Sequence, residues 1–392
     1  MANKMDCDVV VAGAGLVGLA AAIALADKHK NVVLVSDKPV LETKPTFSAY
    51  SWDERVYALT SSTEVWLKSI GVWDFVDENR VSSIDAMHIW GSQTDLVLKA
   101  ADANLAKLGL IIENQQLMAA LWRKLQSLDV TLVTDSRCTK IEHTTNDVIL
   151  RTDSALQINA KLIVAADGLH SWVRQQVNIG VSVKNYDQVA VVANFLAENP
   201  NNNEAKQWFN AHDILALLPL PNQHVSMVWS VSTEKAAQLL ALTSDALCEQ
   251  VQMQSQESMG KLKQIGETKT AALRQQTASQ LIGERIVLVG DAAHQVHPMA
   301  GQGVNLGFRD VIELAQLTTK LHPMHDIGER AFLRQYERAR KADVMSMNTL
   351  TSGLDYLFAT EQTMLKKLTN WGLRSIARQP SLKRLLIKQA AH

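Results

Sequence analysis

The chain has 392 residues, 47% of them hydrophobic, and its 39 basic and 40 acidic residues give a formal net charge of −1. This length favours two or three domains with more than one hydrophobic core. The three cysteines are scattered without metal-ligand spacing (Cys7, Cys138 and Cys248), and the longest apolar run, 16–26, is too short to cross a bilayer. We therefore expect a cytoplasmic protein with no signal peptide, metal site or nucleic-acid partner.

The first predicted elements are a strand, a glycine-rich turn and a helix. Residues 8–12 are predicted to form a strand, with three valines and an alanine after Asp8, and residues 19–26 continue as an apolar helix. In this setting Gly13 is expected to make a tight turn, Gly15 to let the backbone approach a pyrophosphate, and Gly18 to let the helix pack on the strand.

A second predicted strand completes a βαβ unit. Residues 31–35 form this strand, and Asp37 stands just beyond it, where an acidic side chain would meet a ribose hydroxyl. The pattern predicts dinucleotide binding, and the alternative is a turn with helix packing and no nucleotide.

The middle of the chain contains a second acidic motif and a change of pattern. After a helix over 116–128 and strands near Val130 and Val148, residues 161–174 are a strand ending in Asp167-Gly168 and then a helix. From residue 183 to 280 the pattern alternates, with strands at 189–195, 214–219 and 224–231 and a turn at 221–223. This part predicts an antiparallel sheet, including a hairpin, inserted in the nucleotide fold.

The chain returns to the nucleotide fold with a strand over 285–289. This strand delivers the carboxylate of Asp291 into a polar loop, and Pro298 and Gly301-Gln-Gly303 lead into a helix. Backbone amides at a helix start carry about half a positive elementary charge and attract anions. Such a loop can hold a sugar hydroxyl and a negatively charged ring together, as a reduced flavin presents them.

Residues 362–392 form a basic, amphipathic tail. They hold seven basic residues and no acidic one, which leaves a net charge of −8 for the rest of the chain. Pro380 separates two helical segments with recurring apolar residues. The tail can rest on anionic lipid or on a partner protein, or it can pack on the body with its charges in water.

Three segments together resemble a known family. The glycine fingerprint, Asp167-Gly168 and Gly290-Asp291 resemble, in this order, the motifs of the class A flavoprotein aromatic hydroxylases, the para-hydroxybenzoate hydroxylase-like group. The tail of the third motif, from His297 to Gly307, and the later segment 335–341 are most similar to the ubiquinone-biosynthesis hydroxylases. The resemblance spans residues 6–390.

The resemblance implies an α/β fold of the FAD-binding, Rossmann-like glutathione-reductase type, with the inserted antiparallel sheet as substrate domain and a C-terminal helical region. The expected boundaries are 1–182 and 281–345 for the FAD-binding domain, 183–280 for the substrate domain and 346–392 for the tail. The implied chemistry is hydroxylation of an aromatic ring: NAD(P)H or another donor reduces FAD, and O2 adds at the flavin C4a carbon to form the hydroperoxide that transfers oxygen.

The resemblance also implies cofactor-binding residues. The pyrophosphate would lie against the fingerprint, which consists of Gly13, Ala14, Gly15, Leu16, Val17 and Gly18. The isoalloxazine would be bracketed by Pro298, Gly301, Gln302, Gly303, Val304 and Asn305.

Single residues have implied roles, most of them with an alternative. Asp291 would hold the ribityl chain. Arg55 would meet the cofactor or make a surface salt bridge, and Asn114 would meet the flavin side chain or cap its helix. Asp167 and Arg174 would handle the cofactor and the nicotinamide, unless Asp167 only braces its own loop.

The resemblance leaves the ribose-binding residue and the catalytic residue open. The ribose-binding acid of the family aligns with Ser36, whereas here the acid is Asp37, so either residue could make the contact. No catalytic residue is assigned; His297 and Pro298 are candidates, and His294 either takes part in acid–base chemistry or hydrogen-bonds the backbone beside the loop.

The expected substrate is a lipophilic polyprenylated phenol. Its pocket would be walled by Leu217, Pro219, Met227 and Trp229, which could equally form an ordinary sheet core. The alternatives are a hydroxylase of another phenol, a prenyl-chain reductase of the same fold and a non-enzymatic prenyl-binding protein. A ubiquinone-biosynthesis complex, a membrane surface and an oligomer stay open as partners.

Overall fold

A computed structural model of the chain describes residues 3–28, 30–39, 52–91, 95–210, 213–296, 303–322, 324–359, 383–384 and 387. The strands are β1 (Asn3–Ala12), β2 (Val32–Val35), β3 (Val56–Thr60), β4 (Ser82–Ile84), β5 (Ala86–Trp90), β6 (Asp95–Lys99), β7 (Gly109–Glu113), β8 (Val130–Val133), β9 (Cys138–His143), β10 (Val148–Thr152), β11 (Leu156–Ala165), β12 (Val181–Ala197), β13 (Glu204–Phe209), β14 (Ile214–Pro219), β15 (His224–Ser232), β16 (Leu262–Ala278), β17 (Ile282–Gly283), β18 (Ile286–Leu288) and β19 (His294–Gln295). The helices are α1 (Leu16–Ala26), α2 (Ser61–Ser69), α3 (Asn114–Gln126), α4 (Trp172–Gln176), α5 (Thr233–Leu240), α6 (Ser244–Gln254), α7 (Gly303–Lys320) and α8 (Arg330–Ala359).

The first sheet has a parallel centre in the order β18-β11-β1-β2-β8. Strands β2 and β18 and most of β11 are buried because helices cover the faces of a parallel sheet, whereas the edge strand β8 is partly exposed. Helix α1 contacts both α3 and α7. Parallel strands end at one edge of a sheet. The loops after β1, β2, β11 and β18, which carry the predicted motifs, therefore emerge side by side.

The second sheet has the order β19-β16-β12-β15-β14-β13-β5-β6. The expected hairpin is confirmed by the antiparallel pairing of β14 with β15, and Asn222 and Gln223 in its turn have positive φ. Helices α5 and α6 cover one face of the sheet and pack on β12, β15 and β16.

Two features of this sheet differ from the expectation. Strands β5 and β6 lie outside the predicted substrate segment 183–280, yet they extend the sheet. The pairing of β13 with β5 is parallel, with Glu204 opposite Ala86, so the sheet is not wholly antiparallel. A crossover of this kind joins distant segments, and local alternation carries no signal for it.

A small third sheet, β3-β7-β4, lies between the two larger ones. Its apolar residues pack with the uncovered face of the second sheet; Trp52, Ile111 and Leu220 belong to this shared cluster. This middle layer connects the nucleotide fold to the inserted domain.

The C-terminal part begins with α7 packed on α1 and continues with α8 packed on α7. Near the end of the tail Ile387 is fully buried in the cluster of the middle layer, and Lys383 makes an ion pair with Asp102 at 2.6 Å. This part of the tail packs on the body, while residues 360–382 lie outside the described residues. Among the helices that the structure describes, none has the length and apolarity to cross a bilayer.

Candidate active site

The fingerprint glycines stand where side chains do not fit. Gly13 has φ +108°, and a Cβ there would lie 2.4 Å from the Ala166 carbonyl oxygen. A Cβ on Gly18 would lie 1.9 Å from the Gly13 carbonyl oxygen, so the start of α1 packs against the turn that leaves β1. At Gly15 no described atom lies within 4 Å of an added Cβ, which leaves open space for a ligand to approach the backbone.

A cavity of about 830 Å³ opens beside these glycines, a volume in the range of small-molecule sites. Its walls come from the loops after β1, β2 and β11 and from the start of α3. The lining residues include Gly13, Ala14, Gly15, Ser36, Asp37, Asn114, Trp122, Arg137, Asp167 and Gly168.

The two candidates for ribose binding both line the cavity but differ in exposure. Ser36 is 4% exposed, and its hydroxyl accepts a hydrogen bond from the Lys38 backbone at 3.1 Å. Asp37 is exposed and lines the cavity. The carboxylate is therefore accessible to a ribose hydroxyl, whereas the hydroxyl of Ser36 serves the turn.

Asp167 and Arg174 mainly organise loops. The Asp167 carboxylate accepts from the Val173 backbone at 2.9 Å and so braces its own loop, while it also lines the cavity; burial raises its pKa. The Arg174 guanidinium is buried and donates to the carbonyls of Ala292 at 2.8 Å and Leu169 at 2.9 Å. Arg174 thus clamps the Asp-Gly loop to the Gly-Asp loop, which differs from the expected role in nicotinamide handling.

The Gly-Asp loop packs directly on the fingerprint. Gly290 has φ +59°, and an added Cβ would lie 3.1 Å from Val17. A Cβ on Gly307 would lie 2.6 Å from Val17 and 3.2 Å from the Gly290 Cα, so α7 also approaches closely. These contacts bring the fingerprint and the Gly-Asp loop, far apart in the chain, into one site.

Asp291 is exposed at the end of β18, in the Gly-Asp loop. The surrounding protein raises the pKa of its carboxyl, and the charges of His294 and Arg55 oppose that rise. The carboxylate is available for a ligand hydroxyl, in keeping with its expected place beside the ribityl chain.

His294 belongs to a buried charge cluster. Its Nε2 atom lies 2.8 Å from Asp310 Oδ2, off the line of a straight hydrogen bond, and the ring is 2% exposed. Asp310 also accepts from Arg340 at 2.7 Å and from the Gly290 backbone at 2.8 Å. Complete burial favours a higher pKa for Asp310, but the charges of His294 and Arg340 hold it below its usual value. His294 therefore contacts a buried carboxylate that also holds the Gly-Asp loop, and its ring makes no hydrogen bond to the backbone of the described residues. A part in acid–base chemistry stays a prediction.

The start of α7 is fixed to the middle layer. The side chain of Asn305 is buried; it accepts from the Thr60 backbone at 3.0 Å and donates to the Ala58 carbonyl at 2.8 Å. Gly303 and Val304 precede it in the helix. The other residues expected around the isoalloxazine and in catalysis lie outside the described residues: His297, Pro298, Gly301 and Gln302.

Asn114 and Arg55 meet at Tyr57, a residue that the sequence did not single out. Asn114 is the first residue of α3, and the N-cap position belongs to Glu113, so the alternative role of Asn114 as the cap does not hold. Its side-chain oxygen accepts from the Tyr57 hydroxyl at 3.4 Å. The guanidinium of Arg55 is exposed and lies 5.3 Å from the centroid of the Tyr57 ring.

A buried network holds the segment that carries Arg55. Arg80 makes an ion pair with Glu113 at 2.7 Å and lies 4.2 Å from the Trp52 ring centroid. Glu113 accepts from the Asp53 backbone, and the Asp53 carboxylate accepts from the Gln115 backbone at the start of α3. Sequence reasoning missed this network because its members are distant in the chain and belong to no motif.

Helix starts give the site a positive potential. Helices α1 and α3 begin at the cavity, and α7 begins beside the Gly-Asp loop. None of these three helices has an acidic residue in its first turn. Their backbone amides therefore favour an anion such as a pyrophosphate.

The structure contradicts the expected substrate wall, because all four of its residues are buried on the face that the helices cover. Leu217, Met227 and Trp229 are at most 1% exposed and form the core beneath α5 and α6. Pro219 is buried on the same face, opposite Val225. Alternation along β14 and β15 identified one face of the sheet, but it could not tell which face the helices cover.

The opposite face of the sheet points to the nucleotide fold. It carries the residues that alternate with the buried ones along β12, β14 and β15. Asn194 on β12 donates to the carbonyls of Trp52 and Asp53 and so marks this face. Val192, Val228 and Ala216 lie on the same side as one cross-strand row, and each is half-buried. This row is apolar and accessible.

Comparison with known proteins identifies an FAD-binding family, in agreement with the dinucleotide-binding features of the site. The FAD binding domain family matches residues 6–351. Ubiquinone hydroxylase UbiL of Rhodospirillum rubrum is 30% identical over 98% of this chain and 89% of its own length, and 3-demethoxyubiquinol 3-hydroxylase of Escherichia coli is 31% identical over 99% of both chains. The human mitochondrial ubiquinone biosynthesis monooxygenase COQ6 is 31% identical over 94% of this chain and 89% of its own.

Solved structures share the fold. PqsL of P. aeruginosa has a TM-score of 0.79 and 18% identity, covering 94% of this chain and 100% of its own. The p-nitrophenol 4-monooxygenase PnpA of Pseudomonas putida has a TM-score of 0.78 and 15% identity, covering 99% and 98%. The chain belongs to the FAD binding domain family of FAD-dependent monooxygenases, in the group that contains the ubiquinone-biosynthesis hydroxylases.

Proposed function

We propose that this chain hydroxylates the aromatic ring of a polyprenylated phenol in ubiquinone biosynthesis. The observation that carries the proposal is the convergence of the fingerprint, the Asp-Gly loop and the Gly-Asp loop at one sheet edge. Relatives named as ubiquinone hydroxylases, similar over nearly the whole chain, support the choice of substrate class.

FAD fits the features of the site. The adenosine half would occupy the cavity, with its pyrophosphate at the open space beside Gly15 and its ribose at Asp37. Asp291 would bind the ribityl chain beyond it. Bound FAD, reduced by NAD(P)H or another donor, supplies the activation of O2 that these protein groups cannot provide.

Helix α7 would stabilise negative charge on the flavin ring. A charge of about one half at about 4 Å, with an effective dielectric near 20, contributes roughly 2 kcal/mol. No acidic residue in its first turn opposes this effect. The Asn305 bonds to β3 would hold the helix start in place, because they fix it to the middle layer.

The substrate would lie against the row of Val192, Val228 and Ala216. This row is half-buried and lies on the face that carries Asn194 towards Trp52. Burial of one five-carbon prenyl unit contributes up to about 4 kcal/mol, at roughly 0.8 kcal/mol per carbon. An apolar wall could therefore select a prenylated substrate over a small soluble phenol.

Product analysis under labelled dioxygen tests the function. Purified protein with FAD, NAD(P)H and a polyprenylated phenol under ¹⁸O2 should form a ring-hydroxylated product that carries one ¹⁸O atom. A reduced prenyl chain without label would indicate a reductase. Protein that binds the phenol but retains no FAD would instead indicate a binding protein.

We further propose that the enzyme works in the cytoplasm at the inner face of the membrane, alone or within a complex of the pathway. The lipophilic substrate and the basic tail support this location. Lys383 is paired with Asp102, so the basic residues at 366, 367, 374 and 378 are the ones to test. Replacing these four with glutamine should reduce co-sedimentation with anionic liposomes, and unchanged co-sedimentation would contradict the membrane proposal.

A further inference from the structure

Tyr57 lies next to Asn114 at the start of α3 and next to Arg55. It is half-buried on β3, and its hydroxyl donates to Asn114 Oδ1 at 3.4 Å. Asn114 lines the cavity that fits the adenosine half of FAD. On the other side, the Tyr57 ring lies 5.3 Å from the guanidinium carbon of Arg55.

The strand that carries Tyr57 is held by the starts of two helices. The Asn114 backbone at the start of α3 donates to the Arg55 carbonyl at 2.9 Å. Asn305 in the first turn of α7 bonds to Ala58 and Thr60, which follow Tyr57 on β3. These contacts fix the strand of Tyr57 between the start of α3, at the cavity, and the start of α7, beside the Gly-Asp loop.

The hydroxyl of Tyr57 is neutral at physiological pH and can donate a hydrogen bond. Burial raises the pKa of Tyr57 to about 12; Asp291 and Asp53 add to the rise, and Arg55 opposes it. The hydroxyl thus offers a hydrogen-bond donor beside Asn114 without adding a negative charge. Its bond to Asn114 is long for an O–H donor, for which about 2.7–2.8 Å is usual, so a closer acceptor on a ligand would compete with Asn114 for the hydrogen.

We propose that Tyr57 is a further cofactor-binding residue, whose hydroxyl donates to the middle of FAD, between the adenosine half in the cavity and the ring near Asp291. The inference rests on the proposed function, since it requires that FAD occupy this site. Tyr57 would then contact the ribityl and flavin part of FAD, which ADP lacks.

Binding of FAD and of ADP to the apoprotein, measured by titration calorimetry, tests the inference. Tyr57→Phe removes the hydroxyl and retains the ring, and should weaken FAD binding by about 5–10-fold, the effect of one lost hydrogen bond. ADP binding should stay within about twofold of the wild type. The control is Tyr186→Phe, which removes a hydroxyl bonded to Gln275 on the second sheet and should change neither affinity.

Two results would overturn the inference. Unchanged FAD affinity would show that the hydroxyl makes no contact with the cofactor, and an equal loss for FAD and ADP would show that it acts only through the cavity. Wild-type protein that bound no FAD would contradict the proposed function itself. The two failures are therefore distinguishable.

Discussion

At the scale of single residues, Arg174 shows how contacts define a role that a motif leaves open. It follows the Asp-Gly motif, but its guanidinium binds two backbone carbonyls from different loops. The carbonyl of Ala292 comes from the loop of Asp291, so Arg174 holds the loop that carries the residue proposed to bind the ribityl chain. The motif predicted an arginine near the cofactor, but the partners of that arginine depended on loops far apart in the chain.

Arg174→Met should destabilise the protein without changing NAD(P)H binding. Two buried carbonyls lose a charged donor, and we expect the free energy of unfolding to fall by about 2–4 kcal/mol. Denaturant unfolding measures this loss, and Arg174→Lys should lie between the variant and the wild type. A higher KM for NAD(P)H with unchanged stability would instead indicate contact with the nicotinamide.

Asp37→Ala should weaken FAD binding by about tenfold, because one hydrogen bond between the ribose and a carboxylate is lost. The matched control is Ser36→Ala, whose hydroxyl serves the turn and should have little effect. Equilibrium titration of the apoproteins with FAD compares the two. A loss in Ser36→Ala alone would assign the ribose contact to Ser36.

At the scale of elements, local sequence predicted the pieces better than their partners. Gly13 and Gly18 were predictable because the steric demand of a strand–turn–helix unit lies within a few residues. The faces of β14 and β15 were not, because alternation gives two faces and only distant helices decide which one is covered. The same limit applies to β5, whose partner β13 lies far along the chain.

The two faces of β14 predict opposite effects for neighbouring substitutions. Leu217→Ala removes core volume beneath α5 and α6 and should lower the free energy of unfolding by about 2–5 kcal/mol, with little change in KM. Ala216→Leu adds volume on the accessible face and should raise the KM for a prenylated phenol with little loss of stability. If Leu217→Ala alone changed KM, the substrate would lie on the helix-covered side.

At the scale of the whole molecule, the resemblance of three short motifs predicted the family and the nucleotide fold. What remained unpredicted was how the layers are joined: Asn305 to β3, Arg174 to two loops, and Asn194 to the segment before Arg55. Each of these contacts joins residues that are distant in sequence. Such contacts depend on the assembled fold, so no local pattern reveals them.

Acid should destabilise the fold partly through Asp326. Burial favours a higher pKa for this carboxyl, but the Arg285 ion pair at 2.7 Å holds it below its usual value. A carboxyl whose pKa is lower in the folded state stabilises the fold at pH values above its unfolded-state pKa, which is about 4. This stabilisation is lost as the pH falls through the folded-state pKa. In Asp326→Asn the free energy of unfolding should therefore fall less below about pH 4 than in the wild type, by about 1 kcal/mol.

Thermal or denaturant unfolding across this pH range measures the effect of Asp326. Asp27→Asn serves as the control, because Asp27 pairs with Lys28 at an exposed position away from Asp326. An equally steep acid dependence in Asp326→Asn and the wild type would exclude Asp326 as a source of acid lability.

The most direct test of the proposed function is mass spectrometry of the quinones in a strain that lacks this chain. We predict that ubiquinone falls and that a polyprenylated phenol lacking one ring hydroxyl accumulates; the wild-type chain should restore the profile, and Asp291→Ala should not. The structure of the accumulated compound would also identify the ring carbon that is hydroxylated. An unchanged quinone profile in the deletion strain would contradict the proposed function.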